Sequence, residues 1–201
     1  MFSKNLIKNQ IKAYPQQYES ETFRNTGLEN KIVELCRGKP FYFELKPEEH
    51  NGVDCCFNHV ISLPLHHKTG EPNPLFDYQN DIFNTLKTIK HIWILKGTGL
   101  GISEFFLRYI CWLALRDNSY QNSQAVIVTG PNINLAIKLI RRMKNLFTTK
   151  LGITFDSKET FMMLNGCSIE AYPSNHIDSF RSLDNPKFIL LDECDFFRKS
   201  E

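Results

Sequence analysis

The alternation of hydrophobic and polar residues predicts three helices after residue 74. Apolar residues recur at helical spacing over residues 75–86 and again over 103–115, where nearly every face is apolar. The second of these helices is therefore expected to be buried on more than one side. A third helix is expected to begin after Asn132, whose side chain can cap it, and to run to about Phe147.

Short uninterrupted apolar runs predict buried strands between these helices. The runs lie at 91–95, 125–128 and 188–191. Asn165-Gly166, flanked by strand-like residues, predicts a β-hairpin over 161–171. Strands that alternate with helices are typical of an α/β fold with a mainly parallel sheet flanked by helices on both faces. Ligands of such sheets bind at the carboxyl ends of the strands.

The first third of the chain has a weaker pattern. Residues 1–70 are expected to form an N-terminal extension or lid, with short strands near 41–45 and 60–65, and residues 71–201 to form the core domain. Neither segment contains a repeat or a low-complexity tract.

Composition excludes several classes of protein. Lys and Arg number 24 against 22 Asp and Glu, so a net charge of +2 excludes a polybasic nucleic-acid-binding tail. Contact with DNA would require a local basic patch, such as the helix around Arg141 and Arg142, or assembly of several chains. No apolar run is long enough to span a membrane. Six irregularly spaced cysteines fit reduced thiols in a cytoplasm better than a disulfide framework.

A glycine-rich turn follows the apolar run 91–95 and opens the second helix. Such a turn lets backbone N–H groups surround an anion at a helix N-terminus. The usual phosphate loop is G-x-x-x-x-G-K-[ST]; Gly101 and Ser103 match its last glycine and its hydroxyl, whereas Ile102 fills the lysine position. Lys96 could reach the same phosphates from the start of the loop. The alternative is a tight turn that binds no ligand. The candidate residues are Lys96, Gly97, Thr98, Gly99, Leu100, Gly101, Ile102 and Ser103.

Two carboxylates follow the apolar run 188–191. Asp192 in this pattern would hold Mg²⁺ through water, and Glu193 would polarise an attacking water. The alternative is a strand that ends in an exposed acidic turn. Some twenty residues before the glycine-rich loop, Tyr78 and Gln79 offer an aromatic ring to stack on adenine and an amide to read its edge. An ordinary surface glutamine on an amphipathic helix explains Gln79 equally well.

In this order and spacing, the motifs over about residues 74–197 resemble the ATPase domain of terminase large subunits, the P-loop NTPases that package viral DNA. The resemblance includes Tyr78-Gln79, the loop 96–103, the segment 125–136, the hairpin and the run ending at Asp192-Glu193. Some terminases also carry the phosphate-loop lysine at the start of the motif, where Lys96 lies.

The resemblance implies a Mg²⁺-dependent ATPase that translocates and packages double-stranded DNA in the host cytoplasm. Lys96 and Ser103 would contact phosphate and Mg²⁺, with Asp192 as the second metal-binding residue and Glu193 as the catalytic carboxylate. Arg181 would reach the nucleotide of a neighbouring subunit, although a loop ion pair with Asp178 or Asp184 explains it equally well. The expected partners are further copies in a ring, a portal and a small terminase subunit.

The chain departs from that family at its end, because it stops eight residues after Glu193, before any coupling motif or nuclease domain. We therefore expect a fragment, a truncated product or one part of a split motor, without nuclease activity. Two other functions remain open: a helicase-like nucleic-acid translocase, and a catalytically impaired remnant that serves in binding or assembly.

Overall fold

The computed structural model describes residues 68–69, 75–151, 154–155, 157–176 and 183–197, with only the backbone of 149–151. The expected strands near 41–45 and 60–65 lie outside these residues, as does the division of the chain near residue 70. The described part of the chain contains no helix that is both long and apolar enough to cross a membrane.

Three helices form where the apolar spacing predicts them. Helix α1 spans Asp77–Leu86, α2 spans Ile102–Arg116 and α3 spans Ile133–Leu151. The Asn132 carboxamide accepts a hydrogen bond from the backbone N–H of Asn134 at 2.9 Å, which caps α3 as expected. Helix α2 is buried on most faces, as its apolar sequence predicts: eleven of its fifteen residues are buried.

Within the described residues, four strands form one sheet with the order β2-β3-β1-β4. Their bounds are Gln124–Thr129 for β1, Phe161–Leu164 for β2, Cys167–Pro173 for β3 and Pro186–Leu191 for β4. Strand β1 pairs in parallel with both β3 and β4, whereas β2 pairs antiparallel with β3. The predicted α/β architecture with a mainly parallel sheet is confirmed.

The hairpin between β2 and β3 turns at Asn165-Gly166, as the sequence predicts. Both residues have positive φ, 48° for Asn165 and 73° for Gly166. Two consecutive left-handed residues match the right-handed twist of the paired strands, and asparagine and glycine adopt them at little cost. The Asn165 side chain also donates a hydrogen bond to the carbonyl of Ala114 at 2.8 Å, which ties the hairpin to the end of α2.

The prediction of a strand at 91–95 is wrong, because residues 91–97 have no regular secondary structure. The Trp93 side chain is 86% exposed and that of Leu95 is fully exposed. A strand needs a neighbour that accepts and donates its backbone hydrogen bonds, and no described strand pairs with this segment. An apolar run alone therefore did not determine a strand here.

One face of the sheet packs on the helices and forms the core. Alternate residues of β1 and β3 join the buried faces of α2 and α3 in a single cluster. At β4, the ring of Phe188 contacts Phe106 and Tyr109 of α2, with centroids 6.4 and 6.0 Å apart. On the opposite face, Met163, Ile189 and Leu191 are exposed, so the cover expected on both faces is incomplete there.

Candidate phosphate and metal site

Three side chains from separate parts of the chain meet at the carboxyl end of β4. The Lys96 ammonium donates to the Asp192 carboxylate at 2.6 Å and to the Ser103 hydroxyl at 2.8 Å. The Ser103 hydroxyl in turn donates to the same Asp192 oxygen at 3.1 Å. The sequence expectation that the glycine-rich loop faces the acidic end of the last strand is therefore confirmed. Lys96, Ser103 and Asp192 are hereafter the lysine–serine–aspartate cluster.

The loop before α2 owes its shape to glycine. Gly99 has φ of 84° and Gly101 has φ of 71°, values that side chains with a Cβ rarely adopt. Gly101 is also the N-cap of α2 and has no side chain with which to cap it. The first N–H groups of α2 are consequently available to an anion, at the end of the helix where its dipole is positive.

The side chain at the usual lysine position points into the protein. Ile102 is the first residue of α2 and only 5% exposed, within the hydrophobic core. A lysine there would have to bury its stem and charge among apolar side chains. Lys96 reaches the same region from the segment before the loop, since it contacts the hydroxyl of Ser103.

Burial makes the Lys96–Asp192 pair the dominant charge interaction of the cluster. The Asp192 side chain is 8% exposed and that of Lys96 is 25% exposed. A buried carboxylate is costly unless a cation and hydrogen bonds compensate it. The backbone N–H of Asp192 is fixed as well, because it donates to the Val128 carbonyl of the neighbouring strand at 2.7 Å.

Tyr78 and Gln79, at the start of α1, contact the loop itself. The Tyr78 hydroxyl donates to the Leu100 carbonyl at 2.7 Å, and the Gln79 amide donates to the same carbonyl at 3.4 Å. The Gln79 side-chain oxygen accepts from the backbone N–H of Phe76 at 3.2 Å. Gln79 is only 7% exposed. The alternative interpretation, an ordinary surface glutamine on an amphipathic helix, is therefore wrong.

Glu193 lies beside the cluster but on the side of β1. Its backbone is left-handed, with φ of 58° and ψ of 43°, which is uncommon for a residue other than glycine. One of its carboxylate oxygens lies 4.0 Å from the point where Gly130 would carry a Cβ atom. The side chain is exposed. Arg181 lies outside the described residues.

A cluster that sequence reasoning missed supports the first turn of α2. Glu104 accepts a hydrogen bond from Arg108 at 2.8 Å and another from Arg142 of α3. Burial alone would raise the pKa of the Glu104 carboxyl, but the two guanidinium groups outweigh it and hold the pKa below its ordinary value. The i,i+4 spacing of Glu104 and Arg108 was the available sequence signal.

The basic face of α3 is largely engaged within the chain. Arg142 pairs with Glu104, Arg141 lies 3.8 Å from Glu159, and Lys144 donates to the carbonyl of Lys158. Contact with DNA phosphates through this face would compete with these interactions.

A cavity of about 420 Å³ adjoins the glycine-rich loop. It lies between α1 and residues 92–96, which precede the loop. Apolar side chains of both segments line it together with Tyr78, Asp81 and Lys96. Its volume falls within the range of small-molecule sites.

No protein-family model matches this chain, and no curated protein matches it either. The case for its function therefore depends on the order of its motifs and on the geometry of the site.

Proposed function

We propose that this chain is a P-loop NTPase that binds Mg²⁺-ATP at the loop 96–103 and hydrolyses it. The observation that carries the proposal is the lysine–serine–aspartate cluster, in which a cation, a hydroxyl and a carboxylate lie within 3.1 Å of one another. These are the groups that bind a nucleoside triphosphate and its metal ion. They come from positions 96, 103 and 192, which the sequence motifs single out independently.

The anion site would consist of the Lys96 ammonium and the free N–H groups at the start of α2. The ammonium neutralises phosphate charge, and the N–H groups donate to phosphate oxygens in a direction set by the helix. Glycine at 99 and 101 allows the backbone to approach a phosphate closely. Tyr78 and the adjoining cavity provide an aromatic ring and space for the nucleoside.

The same cluster fits a magnesium ion. The Ser103 hydroxyl and the Asp192 carboxylate are oxygen donors 3.1 Å apart, and they already share one cation, the Lys96 ammonium. Mg²⁺ commonly binds through one or two protein oxygens, with phosphate and water completing the set. When bound, it supplies charge neutralisation at the phosphates.

Glu193 is the proposed general base. Its carboxylate is exposed and follows the buried Asp192 directly, so it can accept a proton from a water while Asp192 remains committed to the cluster. Arg181 is the proposed stabiliser of negative charge from a neighbouring subunit. That role for Arg181 depends on the terminase resemblance alone.

The proposed work of the ATPase is translocation of double-stranded DNA by a ring of subunits, as in viral DNA packaging. The support is the order of motifs from Tyr78 to Glu193. The portal and small terminase subunit are the proposed partners, and the host cytoplasm is the proposed location.

A Lys96→Ala variant tests the proposal. We expect the dissociation constant for Mg²⁺-ATP to rise at least tenfold. The variant removes the only side-chain cation that the loop 96–103 offers the phosphates, because position 102 is an isoleucine where the usual loop has a lysine. Isothermal titration calorimetry measures the affinity, and phosphate release measures turnover. Lys138→Ala, which removes an exposed lysine of α3, is the matched control and should change neither value.

Failure of the wild-type protein to bind Mg²⁺-ATP at millimolar concentration would refute the proposal. So would equal affinities of the wild type and the Lys96→Ala variant.

A second candidate function is nucleotide binding without turnover, as a binding or assembly module. The burial of Ile102 favours it, since the loop lacks a lysine at the position that normally contacts the phosphates. The outcome that would support it is tight ATP binding with phosphate release no faster than that of a Glu193→Gln variant.

A further inference from the structure

The carbonyl of Leu100 is the point at which α1 holds the glycine-rich loop. Two side chains from successive residues, Tyr78 and Gln79, both donate to this one oxygen, at 2.7 and 3.4 Å. Leu100 lies between the two glycines of positive φ, in the most conformationally free part of the loop.

The first turn of α1 is itself well fixed. The rings of Phe76 and Tyr78 stack with centroids 5.4 Å apart, and the Gln79 side-chain oxygen accepts from the N–H of Phe76. Further along α1, Phe83 packs edge-on against Tyr109 and Trp112 of α2. The donors to Leu100 are thus attached to the same core as the helix that follows the loop.

The fit between α1 and the loop is close on the glycine side as well. A Cβ atom at Gly101 would lie 3.3 Å from the Gln79 amide nitrogen. Gln79 therefore leaves little room for a side chain at the N-cap of α2 and hydrogen-bonds the preceding carbonyl. Its amide oxygen and nitrogen each have a partner within the chain, and only 7% of the residue is exposed.

From these contacts we infer that Tyr78 and Gln79 are positioning residues for the phosphate loop, which set its shape for the triphosphate and do not select the base. The inference rests on the proposed function, because it concerns how the same loop binds phosphate. Holding the Leu100 carbonyl keeps it turned away from an anion and leaves the N–H groups of the next residues to face one. A loop that is fixed before binding loses less conformational entropy when the phosphates bind.

The distinguishing consequence is that loss of either donor weakens every ligand that carries the triphosphate, whatever its base. Tyr78→Phe removes only the hydroxyl, and Gln79→Met keeps the side-chain length but cannot donate. Each should raise the dissociation constants of ATP, GTP and inorganic tripolyphosphate by one common factor, about fivefold for the loss of one hydrogen bond worth about 1 kcal/mol.

The experiment is calorimetric titration of the full chain with Mg²⁺ and each of the three ligands. Tyr120→Phe, which removes a hydroxyl at the amino-terminal side of β1, is the control and should match the wild type. Circular dichroism and a lowered binding stoichiometry identify any variant whose loss is only one of folding, because misfolding lowers the number of sites and leaves the affinity of folded molecules unchanged.

A loss confined to ATP, with tripolyphosphate affinity unchanged, would overturn the inference and show that these residues read adenine, while the proposed function would stand. Wild-type protein that binds ATP but no tripolyphosphate would overturn it too. Wild-type protein that binds none of the three would refute the proposed function and this inference together.

Discussion

At the scale of single residues, the proposed phosphate site has its lysine at position 96, where the usual phosphate loop has one at position 102. Ile102 contributes a buried apolar side chain to the core, and Lys96 contributes the cation that contacts Ser103 and Asp192. Ile102 is the first residue of α2, and Lys96, on the other side of the loop, contacts the next residue, Ser103. The apolar residue at 102 is therefore compatible with a cationic phosphate site.

Ile102→Lys should destabilise the protein and should not increase hydrolysis. The substitution removes a buried side chain and introduces an ammonium into the core, so the free energy of unfolding should fall by about 2–4 kcal/mol. Thermal denaturation should show a melting temperature lower by about 2–4 °C for each kcal/mol.

Ile133→Lys is the matched control, because Ile133 is likewise the first residue of a helix but is exposed. It should melt within 2 °C of the wild type, roughly 0.5 kcal/mol. An unchanged melting temperature with faster phosphate release in Ile102→Lys would mean that position 102 faces the phosphates.

At the scale of elements, α2 joins the candidate site to the rest of the fold. Its first turn carries Ser103, and Glu104 in the same turn binds Arg108 one turn later and Arg142 of α3. Its middle packs on Phe188 of β4, the strand that ends at Asp192. Ser103 and Asp192 are thus held by elements that pack directly on each other.

The Glu104 cluster should make stability depend on pH in the acid range. The pKa of Glu104 in the folded protein is lowered from its ordinary value of 4.5, which represents the unfolded chain. Its contribution is therefore present above about pH 4.5 and is lost as the pH falls through the folded pKa. Glu104→Gln should be less stable than the wild type at pH 7, and the difference should shrink at pH 3. Urea denaturation at the two pH values measures it.

Glu159→Gln is the control for this prediction, since Glu159 belongs to an exposed pair with Arg141 at 3.8 Å. Such pairs contribute about 0–1 kcal/mol, so its difference from the wild type should be small at both pH values. An equal, pH-independent loss in Glu104→Gln would indicate lost packing instead of a lost charge interaction.

At the scale of the whole molecule, the sheet is packed unequally on its two faces. Side chains of β1 are buried on both faces, whereas β4 at the edge of the sheet leaves Ile189 and Leu191 exposed. The core on the helical side therefore carries most of the stabilisation by burial of apolar surface.

Two isoleucines of paired strands should report this asymmetry. Ile127→Ala, at a fully buried position of β1, should lower the free energy of unfolding by about 2–5 kcal/mol. Ile189→Ala, where the side chain is 54% exposed on β4, should lower it by less than about 1 kcal/mol. Chemical denaturation measures both. Similar losses at the two positions would mean that the β4 face is covered in solution.

Local sequence pattern determined the elements that depend on local physics. The three helices follow from apolar periodicity, the hairpin from two residues that tolerate positive φ, and the ends of the strands from the polar residues that follow them. For the same reason the sequence located Ser103 and Asp192, which lie where α2 begins and where β4 ends, whereas Lys96 was located by its place at the start of the glycine-rich loop.

Only the tertiary structure decided what those residues contact. A strand requires a partner that its own residues do not encode, so the apolar run at 91–95 stayed irregular, with Trp93 and Leu95 exposed and Ile92 and Ile94 packed against the core. Gln79 turned inward to the Leu100 carbonyl, and Glu104 paired with Arg142 across 38 residues of sequence. Periodicity describes which side of one element is apolar, whereas such contacts depend on how separate elements pack, and that information is distributed over the whole chain.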